Sequence, residues 1–340
     1  GLAESLTAAV KSGDDLPQVV QCNVVFPVDA NGELTPSLAA LKRAYEEIGV
    51  KDYTVVERSG LRIGIFGLMG KDAAYKAPMS EVEFGDPVES ARRVVDELKN
   101  KEGADLIICL SHTGTWEDGE EPGDDDLAQK VPGIDIIISG HSHTVYSEPR
   151  VVEKTIIGST GDSCRYLGVI EVSRDSESGW ALKDYRLRRI DEKLADDTHI
   201  LEIINGYKEL VGQKYFDRFD LSFDQVLAVS PFNFRPRGEI ADDHSEDTLG
   251  NLISDAYVYA VKQAEGKGHI PVDAAIVPVG TIRDSFYEGE ITAADVFNVS
   301  SLGIGADGVP GYPLISVYLT GKELKTACEV DASVSPLMKD

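Results

Sequence analysis

Three of the six histidines follow apolar runs of strand character. Leu106-Ile107-Ile108-Cys109-Leu110 leads into Ser111-His112-Thr113-Gly114, and Ile134-Asp135-Ile136-Ile137-Ile138 leads into Ser139-Gly140-His141-Ser142-His143-Thr144. Ligands of α/β sheets gather beyond the carboxyl ends of strands, and neutral imidazole is a common ligand for zinc and other first-row metals. The pattern points to a metal site built on His112, His141 and His143. The competing reading is three unrelated histidines on a polar rim. Side chains at i and i+2 share a face of an extended chain, so His141 and His143 are expected to point the same way. Gly140 is expected to let the backbone turn sharply. Trp116 and Tyr146 follow the two histidine loops and either line the site or pack beneath it. His199 and His269 read as surface residues. His244, among Asp242, Asp243 and Glu246, reads as solvated or capping, with metal binding as the alternative.

Both histidine loops need a scaffold that brings them to one edge. Val88, Ala91, Val95 and Leu98 place a helix before the first strand, and Leu127 lies in a short helix between the two. Strand, helix, strand implies a parallel pair with a right-handed crossover, so both loops emerge on the same side. Ahead of them, Leu2, Leu6, Ala9 and Val10 mark a helix, and Val19 to Val25 a strand. Thr35, Pro36 and Gly49 cap a second helix, whose inner face carries Leu38, Leu41, Tyr45 and Ile48. Ser59-Gly60 joins Tyr53–Glu57 to Leu61–Phe66 in a hairpin. Beyond them, Thr155–Ser159, Tyr166–Val172 and Ala181–Arg189 read as antiparallel strands. Charged residues from Asp191 to Asp197 mark a boundary, followed by a helix on Ile200, Ile203, Ile204, Tyr207 and Val211. A second core follows, with helices at Leu249–Ala260 and Gly321–Val330 and strands at Asp273–Val277 and Leu314–Leu319. The expected division is 1–190, a linker helix 191–215, and 216–340.

At 340 residues, with 42% hydrophobic and 27% charged side chains, the chain can build two soluble cores. A net charge of −26 argues against nucleic acid as a partner. No apolar run has the length of a membrane span. Glu117 to Asp126 reads as a solvated acidic loop, with a calcium or partner loop as the alternative. Cys22, Cys109, Cys164 and Cys328 form no C-x-x-C pair and do not decide the redox compartment. The first residue is Gly1 rather than Met, so the lack of a signal peptide carries little meaning.

The blocks Ala104–His112 and Gly133–Thr144 resemble the last two metal motifs of the calcineurin-like metallophosphoesterases, and more narrowly of the 5'-nucleotidase family. Three more blocks follow the family's order. Arg62–Leu68 resembles the strand after its hairpin, Asp247–Ala256 the opening helix of its C-terminal domain, and Gly280-Thr281-Ile282-Arg283 its Gly-Gly-Ile-Arg loop. The fold implied is α/β: a partial layered metallophosphoesterase sandwich, lacking its leading strands, then a second α/β substrate-binding domain lacking its tail. The resemblance implies two divalent ions, manganese, zinc or similar, with His112 and His141 on one and His143 on the other. The family's remaining ligands, its bridging Asp and its catalytic His come from Asp-x-His, Gly-Asp and Gly-Asn-His motifs earlier in the chain. No Asp-x-His or Gly-Asn-His precedes His112, so by this resemblance these 340 residues carry no catalytic residue and are expected to be inactive alone.

For substrate, the resemblance implies Arg283, Asn251 and Leu302. A guanidinium suits phosphate or ribose; the competing reading of Arg283 is an ion pair with Glu288 or Glu290. Pro278 stands where the family often has Asn, and Leu302 where a stacking Phe is usual. Arg235 and Arg237 stand near the place of its basic residues. The implied activity is metal-dependent hydrolysis of nucleotides or related small-molecule phosphate esters. UDP-sugar or cyclic-nucleotide phosphodiesterase and thiosulfohydrolase are alternatives within the superfamily, and a non-catalytic ligand-binding or surface protein is one outside it. The implied location is periplasmic, secreted or cell-surface.

Overall fold

The structure is a computed structural model that describes residues 1–77, 80–116, 123–175, 179–191, 193–240, 246–305, 308 and 311–334. It forms two compact units, Gly1–Ala195 and Asp196–Asp340. His244 and most of the acidic loop at 117–126 lie outside the described residues.

The first unit runs α1 (Leu2–Ser12), β1 (Val24–Val25), α2 (Pro36–Ile48), β2 (Tyr53–Arg58), β3 (Leu61–Met69), α3 (Lys71–Tyr75), β4 (Glu83–Phe84) and α4 (Pro87–Asn100). It continues with β5 (Leu106–His112), α5 (Asp124–Lys130), β6 (Ile136–Ser139), β7 (Arg150–Val152), β8 (Thr155–Ser159), β9 (Tyr166–Asp175) and β10 (Gly179–Arg189). Among the described residues, six strands form the main sheet in the order β2-β3-β5-β6-β8-β7. The four inner strands are parallel, and β2 and β7 run antiparallel at the edges. β5 and β6 are near-continuous apolar runs, as parallel strands are; Ile107, Cys109 and Ile137 are buried, while Leu110 and Ile138 stand exposed. Phe66, Ile107, Cys109, Ile137 and Ile157 are buried at the centre.

Helix α4 covers one face. Asp86 caps it by accepting from the Val88 and Glu89 amides, and Pro87 occupies the first turn. Ala91, Val94, Val95 and Leu98 recur at i, i+3, i+4 and i+7 and are buried against the sheet. Leu98 lies so close to β3 that a Cβ on Gly64 would stand 2.7 Å from its Cδ2, hence glycine there. Burying each large side chain contributes about 2 kcal/mol.

Two expectations in this unit are corrected. Only Val24–Val25 of the segment Val19–Val25 is a strand, paired with β4. Its preceding residues run beside the end of β3, where Asn23 replaces ladder bonds: Nδ2 donates to the Met69 and Gly85 carbonyls and Oδ1 accepts from the Met69 amide. Strand β8 is parallel to β6, not antiparallel, and β7 is the hairpin strand that turns the chain back to it. The antiparallel reading holds for β9 and β10.

The second unit runs α6 (Thr198–Lys214), β11 (Val226–Ser230), α7 (Thr248–Glu265), β12 (Gly289–Thr292), α8 (Ala293–Val299) and α9 (Gly321–Val334). Asp247 caps α7 through the Leu249 and Gly250 amides, and Leu249, Ile253, Ile282, Phe286, Ile291 and Val299 form its core. A second cluster packs Tyr215, Phe216, Phe223 and Phe297 edge to face. The segments 273–277 and 314–319 are not strands. Ile276, Ile315 and Tyr318 stand exposed, and a period-2 apolar pattern makes a strand only where a neighbour accepts its hydrogen bonds. β11 and β12 pair instead. Among the described residues, no helix is long and apolar enough to cross a membrane.

Candidate functional site

β5 and β6 end side by side, with Ser111 paired to Ser139 and the Gly140 amide donating to the Ser111 carbonyl at 2.9 Å. His112 is the last residue of β5, and His141 lies two residues past β6. Their ring centroids are 5.0 Å apart. The space between them depends on Gly140: a Cβ there would lie 3.2 Å from His112 Nδ1. Close approach, rather than a left-handed turn, is what the glycine supplies. The left-handed residues are the histidines themselves, His141 at φ 73° and His143 at φ 56°. The chain is therefore not extended from His141 to His143, and the alternation that would aim both rings one way does not operate.

His141 is well covered, with 13% of its side chain exposed, and its Nε2 lies 2.7 Å from Asp72 Oδ2. Lys76 Nζ reaches the same carboxylate oxygen at 3.1 Å and lies 5.9 Å from the centroid of Trp116. Trp116 meets His141 edge-on at 6.0 Å, so this aromatic packs against the site. Burial opposes ionisation of Asp72, but hydrogen bonds from His141 and Lys76 outweigh it and hold the carboxyl below its ordinary range. His112 is shifted down by desolvation first and then by the neighbouring His141 and His143, which favours the neutral ring. His143 is exposed and acts on Asp162, whose pKa is lowered chiefly by the Ser163 hydroxyl.

Asp72 had no sequence motif to mark it. The signal was the register: Met69 pairs with His112, which brings the start of α3 to the histidine edge. Asp124 was also unmarked, hidden in an acidic run. It is wholly buried, and desolvation pushes its carboxyl up to about 6 against the Ser111 hydrogen bond and the nearby Ser139 hydroxyl.

Two imidazoles and one carboxylate converge here. Among the described residues, no group of three or more His, Cys, Asp or Glu side chains is arranged to hold a metal ion. The Nε2 of His141 is already engaged by Asp72. These residues alone do not make a two-ion site.

The remaining sequence candidates lie in the second unit. Arg283 is exposed at the end of a helical turn; its Nη1 lies 3.5 Å from the Gly280 carbonyl, and its amide donates to Val299. Among the described contacts, none joins it to Glu288 or Glu290. Asn251 is on α7 and donates to Glu246 at 2.9 Å. Leu302 is 37% exposed. His199 is exposed in the first turn of α6, and His269 pairs with Glu265 at 2.9 Å.

A mostly parallel sheet with histidines at its carboxyl edge, joined to a second α/β unit, is the architecture of the two-domain metallophosphoesterases. Residues 50–145 match the calcineurin-like phosphoesterase family and residues 226–336 the 5'-nucleotidase C-terminal domain. The trifunctional nucleotide phosphoesterase protein YfkN of Bacillus subtilis is 29% identical over 291 residues, 84% of this chain and 18% of that protein. A 5'-nucleotidase of Vibrio cholerae is 27% identical over 286 residues, 74% of this chain and 50% of its own length. The crystal structure of a 5'-nucleotidase precursor from Thermus thermophilus superposes with a TM-score of 0.62 at 26% identity, covering 88% of this chain and 54% of that one. The chain is thus similar to the 5'-nucleotidases in both parts, the first resembling the calcineurin-like phosphoesterases, a metal-dependent family, and the second their C-terminal domain. It spans at most about half the length of these relatives.

Proposed function

We propose that the protein, made as its gene encodes it, is a metal-dependent hydrolase of nucleotides or related small-molecule phosphate esters. The observation that carries this reading is the pairing of His112 and His141, with rings 5.0 Å apart, at neighbouring strand ends of a phosphoesterase-type sheet. Neutral imidazoles at such an edge suit divalent cations. In this reading His112 and His141 serve one ion and His143 a second, the ions being manganese, zinc or similar. The other ligands belong to family motifs, of which Asp-x-His and Gly-Asn-His do not occur ahead of His112 within these residues. The first domain is 1–190, 191–215 the linker helix, and 216–340 the substrate domain.

Arg283 contributes paired donors for phosphate or ribose, and Asn251 and Leu302 line the same substrate. Leu302 offers apolar contact without the stacking face of an aromatic, which lowers preference among bases. The protein works outside the cytoplasm, in the periplasm, at the cell surface or secreted. The test is a panel of nucleoside monophosphates, UDP-sugars, cyclic nucleotides and thiosulfate esters, each with added manganese or zinc. Release of phosphate from nucleoside monophosphates supports the reading. No turnover of any member with either metal retires it in favour of a non-catalytic ligand-binding protein.

A further inference from the structure

Directly behind the histidine pair lies a carboxylate that the proposed function does not use. Asp124 opens α5 and has no exposed surface. The Ser111 hydroxyl donates to its Oδ1 at 2.5 Å. Ser111 is itself held by Thr113, whose amide donates to Ser111 Oγ at 3.1 Å and whose Oγ1 lies 2.9 Å from it. The other oxygen of Asp124, Oδ2, is buried without a hydrogen-bond partner, and so is Ser139 Oγ. Ser139 is the register partner of Ser111, and its hydroxyl is close enough to favour the ionised carboxylate. Each of these two buried atoms would find in the other the partner it lacks. The backbone of Asp124 is fixed too: its amide donates to the Gly114 carbonyl at 2.8 Å, and Leu127 and Ala128 anchor α5 in the core.

A buried carboxylate is costly and needs a reason. The two hydroxyls it faces belong to Ser111, next to last in β5, and Ser139, last in β6. His112 follows one of them immediately, and His141 follows the other by two residues. We propose that Asp124 is a positioning residue: its carboxylate ties Ser111 to Ser139 and thereby sets the separation of His112 and His141. This rests on the reading of those histidines as metal ligands. A rigid support behind a ligand pair keeps both nitrogens at the spacing an ion requires, and loss of such support typically lowers metal affinity or activity about 10–100-fold.

The test uses the protein as its gene encodes it, with zinc as the probe, and compares Asp124→Ala, Asp124→Asn and Ser139→Ala. Zinc affinity is read by chelator competition, folding by the melting temperature, and turnover as separate kcat and KM. Ser139→Ala and Asp124→Ala are expected to lose at least about tenfold in zinc affinity, with KM unchanged at saturating zinc. Asp124→Asn keeps an acceptor for Ser111 and gains a donor for Ser139, so it should stay within about threefold of the wild type by the same scale. The double Asp124→Ala/Ser139→Ala variant should bind no worse than Asp124→Ala alone, because both changes break one tie. If Asp124→Ala does not fold, Ser139→Ala and Asp124→Asn decide the question. Folded variants with wild-type zinc affinity, or Asp124→Asn losing as much as Asp124→Ala, overturn the proposal and leave the metal reading standing. A wild-type protein that binds no zinc removes the metal reading and this inference together.

Discussion

Replacing Asp124 by Asn should change how the stability of the first unit depends on pH. Asn has nearly the same shape but carries no charge. In the folded protein, burial raises the Asp124 carboxyl from 3.8 to about 6. Each tenfold change in acidity is worth roughly 1.4 kcal/mol, so the difference corresponds to about 3 kcal/mol in all. The sign follows from which state holds the proton longer. The native state does, so the contribution is fully present below the unfolded value and is lost as pH rises through about 6. Between pH 5 and pH 8 the wild type should therefore lose about 1.5 kcal/mol more than Asp124→Asn, and beyond pH 8 the two should run parallel. Both tryptophans, Trp116 and Trp180, lie in the first unit, so urea unfolding followed by their fluorescence reports it separately. Stability curves for wild type and variant that stay parallel from pH 5 to pH 8 would refute the reasoning.

Asn23→Ala should destabilise the first unit by about 3 kcal/mol, because it leaves the Met69 amide and the Met69 and Gly85 carbonyls without their partner; an unchanged urea midpoint would count against that role. His112→Ala and His141→Ala should each lower the zinc affinity of the gene-encoded protein by more than about tenfold while leaving its fold intact, as circular dichroism would check. Arg283→Ala should raise KM for nucleotides and barely move the melting temperature, since its guanidinium makes no described ion pair; a large drop in melting temperature with unchanged kinetics would point to a structural role. Residues 1–340, loaded with zinc and desalted, should retain fewer than two tightly held ions per chain, because the donors among the described residues do not close a metal site; two retained ions would count against this.

Elements that announce themselves by local chemistry were legible in the sequence. The capped helix Pro36–Ile48, with Thr35 and Gly49 at its ends, and the hairpin at Ser59-Gly60 are where their residues put them. The two histidine strands were readable because strands of a parallel sheet are near-continuous apolar runs. What failed depended on partners distant in sequence. The segments 273–277 and 314–319 have strand composition but no paired neighbour, and β8 runs parallel because β7 reverses the chain ahead of it. At the site, the meeting of His112 with His141 followed from the crossover. Asp72 reaches His141 through a sheet register that no motif encodes, and Asp124 becomes visible only once it is seen to be buried.

The strand order β2-β3-β5-β6-β8-β7 has a consequence for synthesis on the ribosome. Apart from β7, each strand is laid beside one already made, so the sheet can grow in the direction of translation. While it grows, its newest strand is an open edge. The end of β5 at residue 112 precedes the end of β6 at residue 139 by 139 − 112 = 27 residues, which at 5–20 residues per second is roughly 1–5 s. For that interval the run Leu106-Ile107-Ile108-Cys109-Leu110 waits without its second neighbour, the kind of apolar, uncharged segment that associates with other chains. Slow codons placed just after residue 112 should therefore reduce soluble yield. The same codons after residue 195, where the first unit is complete, should not. Equal yields from the two placements would mean that the growing edge is protected by something other than the speed at which β6 arrives.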